Sequence, residues 1–487
     1  MEYKVLNTKP EVMTVDVDTL KSRIDAHHYR PRFLSAADKV LNIKYSRPSA
    51  LGQETHKIGQ PADIRSYCDS GVPILNAKNV RPLYLNNDEC PLVEKGIAEK
   101  HKKQTLNGDE VLIVRTGAKC GDVAWVSSAF SNYLVNSHVI PIRPKGNLEP
   151  TFLAAYLSST LGQMLLDREM TGAAQRQVSV ASLNSTVVPL PDSKIQRHIG
   201  RKVEIAEKCR EEAICCESNA EGIFGQHWSA TTVTLSGSFT NLTGLDVLSN
   251  DRLDPEFYRN DLLSMRDRVL KNKNGHVRIG KYGESFSGKT PSDKGDDDSL
   301  CEIVRVANLT SRGLNWSNRL FGTISKSKKG LLKDGDIIVC KDAHQKYYIG
   351  QQVDIYCRPN HHAVASSETL VIRFKREHIN PFAALIYLRS KEGYAAFQQQ
   401  IRGTSAHLYP TDVENIVVPK IPEDAEEQIE QLIRRAEHCR IRAYALTDEA
   451  KSDVEALIEG KLDTNAILSG KLKAPTWKDI EKELEGI

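Results

Sequence analysis

Residues 23–30 read RIDAHHYR, and residues 252–259 read RLDPEFYR. Five further blocks match in the same order at a shift of about 230 residues. In the first part of each copy, ILNAKNV (74–80) pairs with IVRVANL (303–309), and LNGDEVLIV (from Leu106) pairs with LKDGDIIV (from Leu332). In the later part, NLEPTFLAAYLSSTLGQ (from Asn147) pairs with INPFAALIYLRSKEGY (from Ile379), VVPLP (187–191) with VVPKIP (417–422), and AEKCREEA (206–213) with AEHCRIRA (436–443). Solenoid repeats span only roughly 20–50 residues. The sequence therefore predicts two tandem copies of a domain with an appendage.

Each copy begins with about 120 residues of short apolar runs separated by turns, such as GDEVLIVRTG and GDIIVCKD. Asn-Gly-Asp at 107–109 and Asp-Gly-Asp at 334–336 are typical of a turn that leads into a strand. Amphipathic helices are predicted at about 150–169 and 381–400, each followed by a loop that contains Gly172 or Gly403. The fold class expected is α+β, with mixed β structure and helices in each copy.

A long helix follows the proline-ended strand of each copy. Ile195, Ile199 and Val203 recur at helical spacing in the first copy, and Ile429 and Leu432 begin the same pattern in the second. Spacing of this kind suits a helix that packs along another helix, so we expect an antiparallel coiled coil of the two. The alternative is that each helix packs only on its own domain.

These patterns predict seven segments. They are an N-terminal extension (1–22), the first domain (23–191), the first long helix (192–222), a linker rich in Ser, Thr, Asn and Gly (223–251), the second domain (252–422), the second long helix (423–460) and a charged C-terminal tail (461–487).

Composition excludes few functions. Hydrophobic residues make up 40% of the 487 residues and charged residues 26%, which is sufficient for a packed core. The net charge is only +3, so any basic surface must arise from segregation of charge. Ten scattered cysteines without a CxxC, no signal-peptide pattern and no apolar run of about 18 residues favour a cytoplasmic protein with reduced thiols and no membrane partner.

No catalytic constellation is apparent. The sequence lacks an NPPY- or DPPY-type motif, a P-loop and a Gly-rich cofactor loop that opens a helix. The adjacent pairs His27-His28 and His361-His362 would face opposite ways on a strand, so no metal site is expected. We expect no enzyme activity and no cofactor in this chain.

Taken together, the blocks resemble the specificity subunit family of Type I restriction-modification systems. The features that carry the resemblance are the RLDPEFYR-type opening, the turn and strand of the GDVLI type, the loop reading TGAAQRQVS, and the proline-ended strand before a long helix. The resemblance covers about residues 23–222 and 252–460. The N-terminal extension, the 217–250 linker and the EDAEEQIEQ helix start depart from the plain pattern, and they leave open a related methylation-based phage-defence complex.

The resemblance implies a subunit that reads a split site on double-stranded DNA and directs an adenine-N6 methyltransferase to it. Expected partners are two methyltransferase subunits, which would bind S-adenosylmethionine, and a restriction or translocase subunit is a further candidate. Each good bidentate base contact contributes only about 1–3 kcal/mol of discrimination. Two linked readers multiply their selectivities, and a helical spacer sets the distance between half-sites.

Polar and basic residues in loops after strands are the candidate DNA contacts, because Arg and Asn suit base edges and Lys suits phosphates. They are Asn76, Lys78, Asn79, Arg81, Arg115, Lys119, Gln175 and Arg176 in the first copy, and Arg305, Asn308, Arg312, Lys326, Lys328, Lys329, Lys341, Lys346 and His407 in the second. Taken singly, each could equally be a solvated surface group. The matched Asn79 and Asn308 could instead form turns.

Two other classes of function remain open at this stage. Duplicated domains could bind protein partners in a non-catalytic scaffold of a defence complex, which would show no salt-sensitive, sequence-selective DNA binding. An enzyme with unfamiliar chemistry would show turnover by the isolated chain with S-adenosylmethionine or Mg²⁺.

Overall fold

A computed structural model describes residues 25–44, 46–87, 90–172, 176–228, 252, 254–296, 300–317, 319–324, 330–358, 360–403 and 406–486. The predicted N-terminal extension and residues 229–251 of the predicted linker lie outside these residues. The chain divides into two compact units. Unit 1 comprises Met1–Lys208 and Ala445–Glu481, and unit 2 comprises Cys209–Tyr444 and Lys482–Ile487.

Unit 1 is built from short strands and helices of mixed length. Its strands are Ser46–Ala50 (β1), Val72–Leu75 (β2), Val80–Arg81 (β3), Tyr84–Leu85 (β4), Leu92–Val93 (β5), Val111–Val114 (β6), Val123–Trp125 (β7), Leu134–Val135 (β8), Val139–Ile142 (β9) and Val187–Pro191 (β10). Its helices before the first long one are Pro31–Leu41 (α1), Lys95–Lys100 (α2), Pro150–Ser158 (α3), Thr160–Glu169 (α4) and Val180–Ser185 (α5). The long helix Ser193–His227 (α6) contributes residues to both units.

Most elements of unit 1 recur in the same order in unit 2. Its strands are His276–Arg278 (β11), Gly283–Ser287 (β12), Lys294–Gly295 (β13), Cys301–Val304 (β14), Phe321–Gly322 (β15), Ile337–Cys340 (β16), Val353–Ile355 (β17), Ala363–Ala365 (β18), Thr369–Phe374 (β19) and Val417–Pro419 (β20). Its helices are Asn260–Leu270 (α7), Ile279–Tyr282 (α8), Pro381–Arg389 (α9), Lys391–Gln400 (α10) and Pro410–Val413 (α11). The second long helix, Glu423–Ile458 (α12), also has residues in both units, and Thr464–Leu468 (α13) and Trp477–Leu484 (α14) follow it.

Strand pairing is the same in the two units. The antiparallel order β7-β6-β9 in unit 1 corresponds to β17-β16-β19 in unit 2, where β12 adds an outer strand. The parallel pair β2-β8 corresponds to β14-β18, and the antiparallel pair β1-β10 corresponds to β11-β20. The mixed α+β class predicted from the sequence is confirmed.

The two helices predicted at about 150–169 and 381–400 each break into two. Ser159 and Ser390 stand at the breaks, and each side-chain oxygen accepts a hydrogen bond from the backbone of a glycine three residues later. A Cβ on Gly162 would lie 1.9 Å from the carbonyl oxygen of Tyr156, and one on Gly393 would lie 2.3 Å from that of Tyr387. The break therefore depends on a serine cap and on a residue without a side chain.

Alternate residues of each central strand face different hydrophobic clusters, as expected for a strand buried on both faces. In unit 1, Val111 and Ile113 pack in the same cluster as Phe152, Ile199 and Val454, which joins the sheet to α3 and to the long helices. In unit 2 the corresponding cluster contains Ile337, Val339, Phe382, Ile429 and Ile433. The long helices are thus part of the core of each unit.

Segments of α6 and α12 meet inside each unit. In unit 1, Lys202 Nζ lies 2.8 Å from Asp453 Oδ2 and 3.3 Å from Glu449 Oε2, and His198 Nε2 lies 3.6 Å from Asp453 Oδ2. In unit 2, Arg435 Nε donates to Glu212 Oε1 at 2.7 Å.

The first long helix ends five residues beyond the predicted boundary at 222. Phe224 and Trp228 are buried in the hydrophobic cluster of unit 2, and Trp228 Nε1 donates to Glu392 Oε2 at 2.6 Å. Packing of these aromatic side chains explains the extra turn. Among the described residues, no helix has the length and apolar character required to cross a membrane.

Candidate nucleic-acid interface

Asn79 closes a loop that follows strand β2. Its side chain is buried, Oδ1 accepts from the backbone N–H of Asn76 at 2.9 Å, and Nδ2 donates to the carbonyl of Asn86 at 2.9 Å. Asn308 makes the same two hydrogen bonds in unit 2, with Arg305 at 2.9 Å and Asn315 at 2.8 Å. Both asparagines therefore shape the loop from inside it, the role of a turn-forming residue that the sequence left open.

Two loops lie side by side in unit 1. The first is the hairpin loop 115–122 between β6 and β7, and the second is the glycine-containing loop 171–177. Val178 N–H donates to the carbonyl of Arg115 at 3.0 Å, and Thr116 and Gln177 form a β-bridge. Thr171 and Gln177 also exchange two backbone hydrogen bonds of 2.9 Å. The backbone thus joins two loops that are more than 50 residues apart in sequence.

Unit 2 contains the same loop pair, formed by residues 341–352 and 402–407. Leu408 N–H donates to the carbonyl of Lys341 at 3.1 Å, as Val178 does to Arg115 in unit 1. Asp342 bridges to His407, and Arg402 bridges to His407 in turn. We call these two loops the loop pair of each unit.

The basic residues predicted in the loop pair of unit 1 lie on its surface. Lys119 and Arg176 are exposed, and Arg115 is half-buried. Arg176 is within ion-pair distance of Asp167. Burial raises the pKa of the Asp122 carboxyl, and the nearby Lys119 and Arg81 oppose that shift.

The other residues predicted in unit 1 lie on the loop that Asn79 closes. Lys78 is exposed and Arg81 is half-buried. The half-buried Asn76 accepts at its Oδ1 a hydrogen bond of 3.0 Å from Nδ2 of Asn136.

In unit 2 a histidine links the two loops. His407 Nδ1 lies 2.6 Å from Asp342 Oδ1, and Lys341 Nζ lies 3.3 Å from Asp342 Oδ2. Two of the predicted DNA contacts thus share one carboxylate. Lys346 is exposed at the start of a 3-10 turn, Lys346–Tyr348.

Arg305 and Arg312 flank the loop closed by Asn308. Arg305 is half-buried and Arg312 is exposed. The buried carboxylate of Asp354 accepts hydrogen bonds from the backbone N–H groups of Thr310 (2.6 Å), Ser311 (3.1 Å) and Gly313 (2.9 Å). Asp354 thus fixes the backbone on both sides of Arg312.

Four predicted contacts lie outside the described residues. They are Gln175, Lys326, Lys328 and Lys329.

A buried acid supports the start of the hairpin in both units. Arg143 Nε donates to Glu110 Oε1 at 3.1 Å in unit 1, and Arg373 Nε donates to Asp336 Oδ1 at 2.8 Å in unit 2. Burial raises the pKa of Asp336, and its hydrogen bond with Arg373 opposes that shift. Each pair ties the turn before the central strand to the neighbouring strand.

Three surface groups next to the loop pairs were missed by the sequence reasoning. His138 Nδ1 lies 2.7 Å from Thr116 Oγ1 in unit 1. Tyr347 and Tyr348 lie in the hairpin loop of unit 2, and each is 49% exposed. The hairpin loop of unit 2 has twelve residues (341–352), four more than the eight residues of the corresponding loop in unit 1 (115–122). This difference in loop length can be seen in the sequence and could have drawn attention to the two tyrosines.

No group of three or more His, Cys, Asp or Glu side chains suited to a metal ion occurs among the residues described. The site is a surface of loops with basic, amide and aromatic side chains, arranged alike in both units. Such a surface can contact phosphates through its cations and base edges through its amide and guanidinium groups.

Residues 67–211 match the sequence profile of the Type I restriction modification DNA specificity domain. None of the curated proteins compared with the sequence matches it. Two solved structures are similar over most of the chain. One is the S subunit of a Type I restriction-modification system from M. genitalium (12% identity, 89% of this chain and 98% of that chain covered, TM-score 0.40). The other is the HsdS subunit from Thermoanaerobacter tengcongensis (14% identity, 86% and 97% covered, TM-score 0.27).

Proposed function

We propose that this chain recognises a two-part DNA sequence through its two units. The proposal is supported by the match of residues 67–211 to the profile of the Type I restriction modification DNA specificity domain. The matched region carries the loop pair of unit 1. The second reader is the loop pair of unit 2, at 341–352 and 402–407. Domain boundaries of 23–191 and 252–422 enclose the two readers.

The observation that carries this proposal is the recurrence of the loop pair. Val178 to Arg115 and Leu408 to Lys341 are equivalent backbone hydrogen bonds, and Asn79 and Asn308 close equivalent loops. Loops held on a rigid frame are where binding residues concentrate. A duplicated frame whose loop side chains differ is what two half-sites of different sequence require.

The candidate contacts divide by chemistry. Exposed cations such as Lys78, Lys119 and Lys346 would neutralise phosphates, which sets affinity and its dependence on salt. Arg115, Arg176 and Arg312 have the planar guanidinium that suits guanine edges. The remaining predicted residues keep their proposed place in the interface, with Asn79 and Asn308 acting through the loop that they close.

The long helices would be the spacer between the two readers, as an antiparallel coiled coil. The contacts of α6 and α12 inside unit 1 and inside unit 2 support this, because positions late in α12 meet the start of α6, and positions early in α12 meet its later part. A helix of 35 residues is about 50 Å long at roughly 1.5 Å per residue. Such a spacer would give the split site a constant gap.

Methylation would be carried out by partner subunits. We propose that this non-catalytic chain directs two adenine-N6 methyltransferase subunits, the number that the resemblance implies, to the site.

The test is to produce the chain together with the methyltransferase encoded beside its gene and to map methylated adenines across the host genome. We expect a motif of two short specific blocks around a spacer of constant length. Replacement of residues 23–191 by those of a relative should then change one block only. Methylation without a motif, or methylation independent of this chain, would refute DNA recognition and favour the scaffold.

A further inference from the structure

The hairpin loop of unit 2 carries two aromatic side chains that stay about half exposed in the described part of the chain. Tyr347 and Tyr348 are each 49% exposed, and their ring centroids are 4.2 Å apart with an angle of 39° between the ring planes. Burial of apolar surface is favourable, so a pair of exposed rings on a surface indicates a site where a ligand or another macromolecule binds. The corresponding loop of unit 1, RTGAKCGD, contains no aromatic residue.

The backbone beneath the two rings is held by several hydrogen bonds. Gln398 Nε2 donates to the carbonyls of Lys346 at 3.1 Å and of Ile349 at 2.7 Å, and Tyr394 Oη donates to the carbonyl of Tyr347 at 3.0 Å. Ile349 is fully buried next to this contact. The loop therefore presents its rings from a fixed backbone and loses little freedom on binding.

A glycine allows the loop to lie this close to helix α10. Gly350 has a φ of +73°, and a Cβ on it would lie 2.5 Å from Cβ of Phe397. The close approach of backbone to Phe397 anchors the C-terminal side of the loop. Both ends of the aromatic pair are thus fixed.

The charges around the pair favour a polyanion. His344 and Lys346 are exposed on the same loop, and Lys341 begins it. The carboxylate of Asp342 is engaged by His407 and Lys341. Aromatic rings beside cations suit a phosphate backbone with bases next to it.

We propose that Tyr347 and Tyr348 form an aromatic contact to the bases of double-stranded DNA in the half-site read by unit 2, with Lys346 on a neighbouring phosphate. This inference rests on the proposed function and adds residues that determine specificity in one half-site. Aromatic and apolar side chains contact thymine methyl groups or insert at flexible base steps. The contact would therefore make unit 2 sensitive to sequence or shape through a hairpin loop whose counterpart in unit 1 has no aromatic residue.

The test uses the full chain in complex with its methyltransferase, with the double variant Tyr347→Ala/Tyr348→Ala. We expect the block of the methylation motif read by unit 2 to become degenerate while the other block stays strict. Binding of a DNA duplex that carries the site should weaken roughly tenfold to a hundredfold. The pair Tyr347→Phe/Tyr348→Phe should recover binding to within about threefold of the parent, because the ring is retained.

Leu270→Ala is the matched control, since Leu270 is an exposed apolar residue of unit 2 on helix α7. It should leave both blocks of the motif unchanged. As a direct readout of contact, duplexes with 5-iodouracil at the thymines of the second block should cross-link to the parent chain. Loss of those cross-links in the alanine variant is the expected result.

The inference fails if the alanine variant keeps both blocks strict with binding within about twofold, or if both blocks relax equally. It also fails if the variant loses the methyltransferase while its motif is unchanged, because the rings would then face a protein. If the parent complex itself shows no split motif, the proposed function fails, which is a separate outcome.

Discussion

Unit 1 and unit 2 share a frame of hydrogen bonds between loops and strands, but they differ in the charges buried behind that frame. Glu110 with Arg143 and Asp336 with Arg373 are the same pair at the start of the central hairpin in the two units. Behind strand β17, however, unit 2 contains a cluster of ionisable side chains. Three of the five aligned positions carry neutral residues, whereas Glu207 and Arg210 stand opposite Glu437 and Arg440.

The cluster of unit 2 has five members, which we call the buried charge network. Arg389 lies 2.7 Å from Asp354 and 3.0 Å from Glu217, and Arg440 lies 2.6 Å from Glu217 and 2.7 Å from Glu437. Side-chain exposure of all five is 11% or less. The network joins β17 and α9 to segments of both long helices within unit 2.

Alignment of the two copies places Ala124 opposite Asp354, Ser158 opposite Arg389 and Thr447 opposite Glu217. Ala124 is fully buried, and the Ser158 hydroxyl is buried with no hydrogen-bond partner among the described residues. Three of the five charges therefore have small neutral counterparts.

The comparison of the two units shows which structural features both copies of a duplicated domain retain. Hydrogen bonds between loop backbones recur in both units, as the proposed reading surface would require of a frame used twice. Each buried charge needs a partner of opposite charge, since removal of one partner leaves another ion unpaired in the interior. Once unit 2 contains the network, its members must therefore be kept together, whereas Ala124, Ser158 and Thr447 stand at three of the five aligned positions.

The largest effect is expected from Arg389→Ala, which leaves Asp354 and Glu217 without their shared cation. Loss of one partner of a buried ion pair typically costs about 3–5 kcal/mol. We expect the backbone amides of Val353–Ile355 to exchange hydrogen much faster. Urea unfolding should show a matching loss in the free energy of unfolding. The same peptides report the change locally, even if the whole chain does not unfold in two states.

The matched variant in unit 1 is Ser158→Ala. It removes a buried hydroxyl without a described partner, so stability should change by less than about 0.5 kcal/mol. Equal destabilisation by the two variants would show that the buried charge network contributes no more than ordinary packing.

A smaller loss is expected from Gly313→Ala. Gly313 has a φ of +88°, and a Cβ there would lie 2.0 Å from Glu437 Oε1 and 2.6 Å from a guanidinium nitrogen of Arg440. The backbone strain and the displacement of the network should together cost about 2–4 kcal/mol. Urea unfolding of the full chain measures this loss.

Gly275→Ala separates these two causes, because Gly275 has a φ of +84° with no atom within 4 Å of the added Cβ. That variant should cost only about 1 kcal/mol from the left-handed backbone. If both glycine variants lost the same free energy of unfolding, the close approach of the added Cβ at position 313 to Glu437 would contribute nothing to the loss.

Much of the frame could be predicted from sequence, because it repeats local patterns. The duplication, the α+β class and the turn before each central strand follow from matched blocks and turn residues. The breaks at Ser159 and Ser390 escaped prediction, since apolar periodicity continues through them and the signal lies in a Ser-x-x-Gly spacing. The recognition of the family was confirmed for residues 67–211.

The buried charge network could not be predicted in the same way. Glu217, Asp354 and Glu437 are more than 80 residues apart in sequence, and nothing in the composition around them distinguishes buried from exposed acids. Tyr347 and Tyr348 were overlooked because an aromatic pair in a strand-rich segment suggests a core. Only the fold shows which long-range groups meet and which rings remain uncovered.

Glu437 gives the network a dependence on pH. Burial raises the pKa of its carboxyl from 4.5 to about 7, against the opposing effect of Arg440. The folded chain keeps this proton between pH 5 and 7 while the unfolded chain releases it, so stability should fall as the pH rises through that window. We expect Glu437→Gln to remove about 2 kcal/mol of this fall, measured as the difference in urea unfolding between pH 5 and pH 8. An unchanged pH slope would mean that Glu437 stays ionised in the folded chain.

The smallest effect is expected at the ion pairs of unit 1. Lys202 pairs with Asp453 and Glu449, but the Glu449 side chain is 46% exposed, so water screens much of the attraction. Lys202→Met should cost about 1 kcal/mol, and the cost should shrink between low and high salt. Lys461→Met is the control, because Lys461 and Glu459 are 73% and 40% exposed and their pair should contribute almost nothing. A loss at Lys202 as large as that of Arg389→Ala, and insensitive to salt, would show that unit 1 also depends on buried charge and would remove the contrast between the two units.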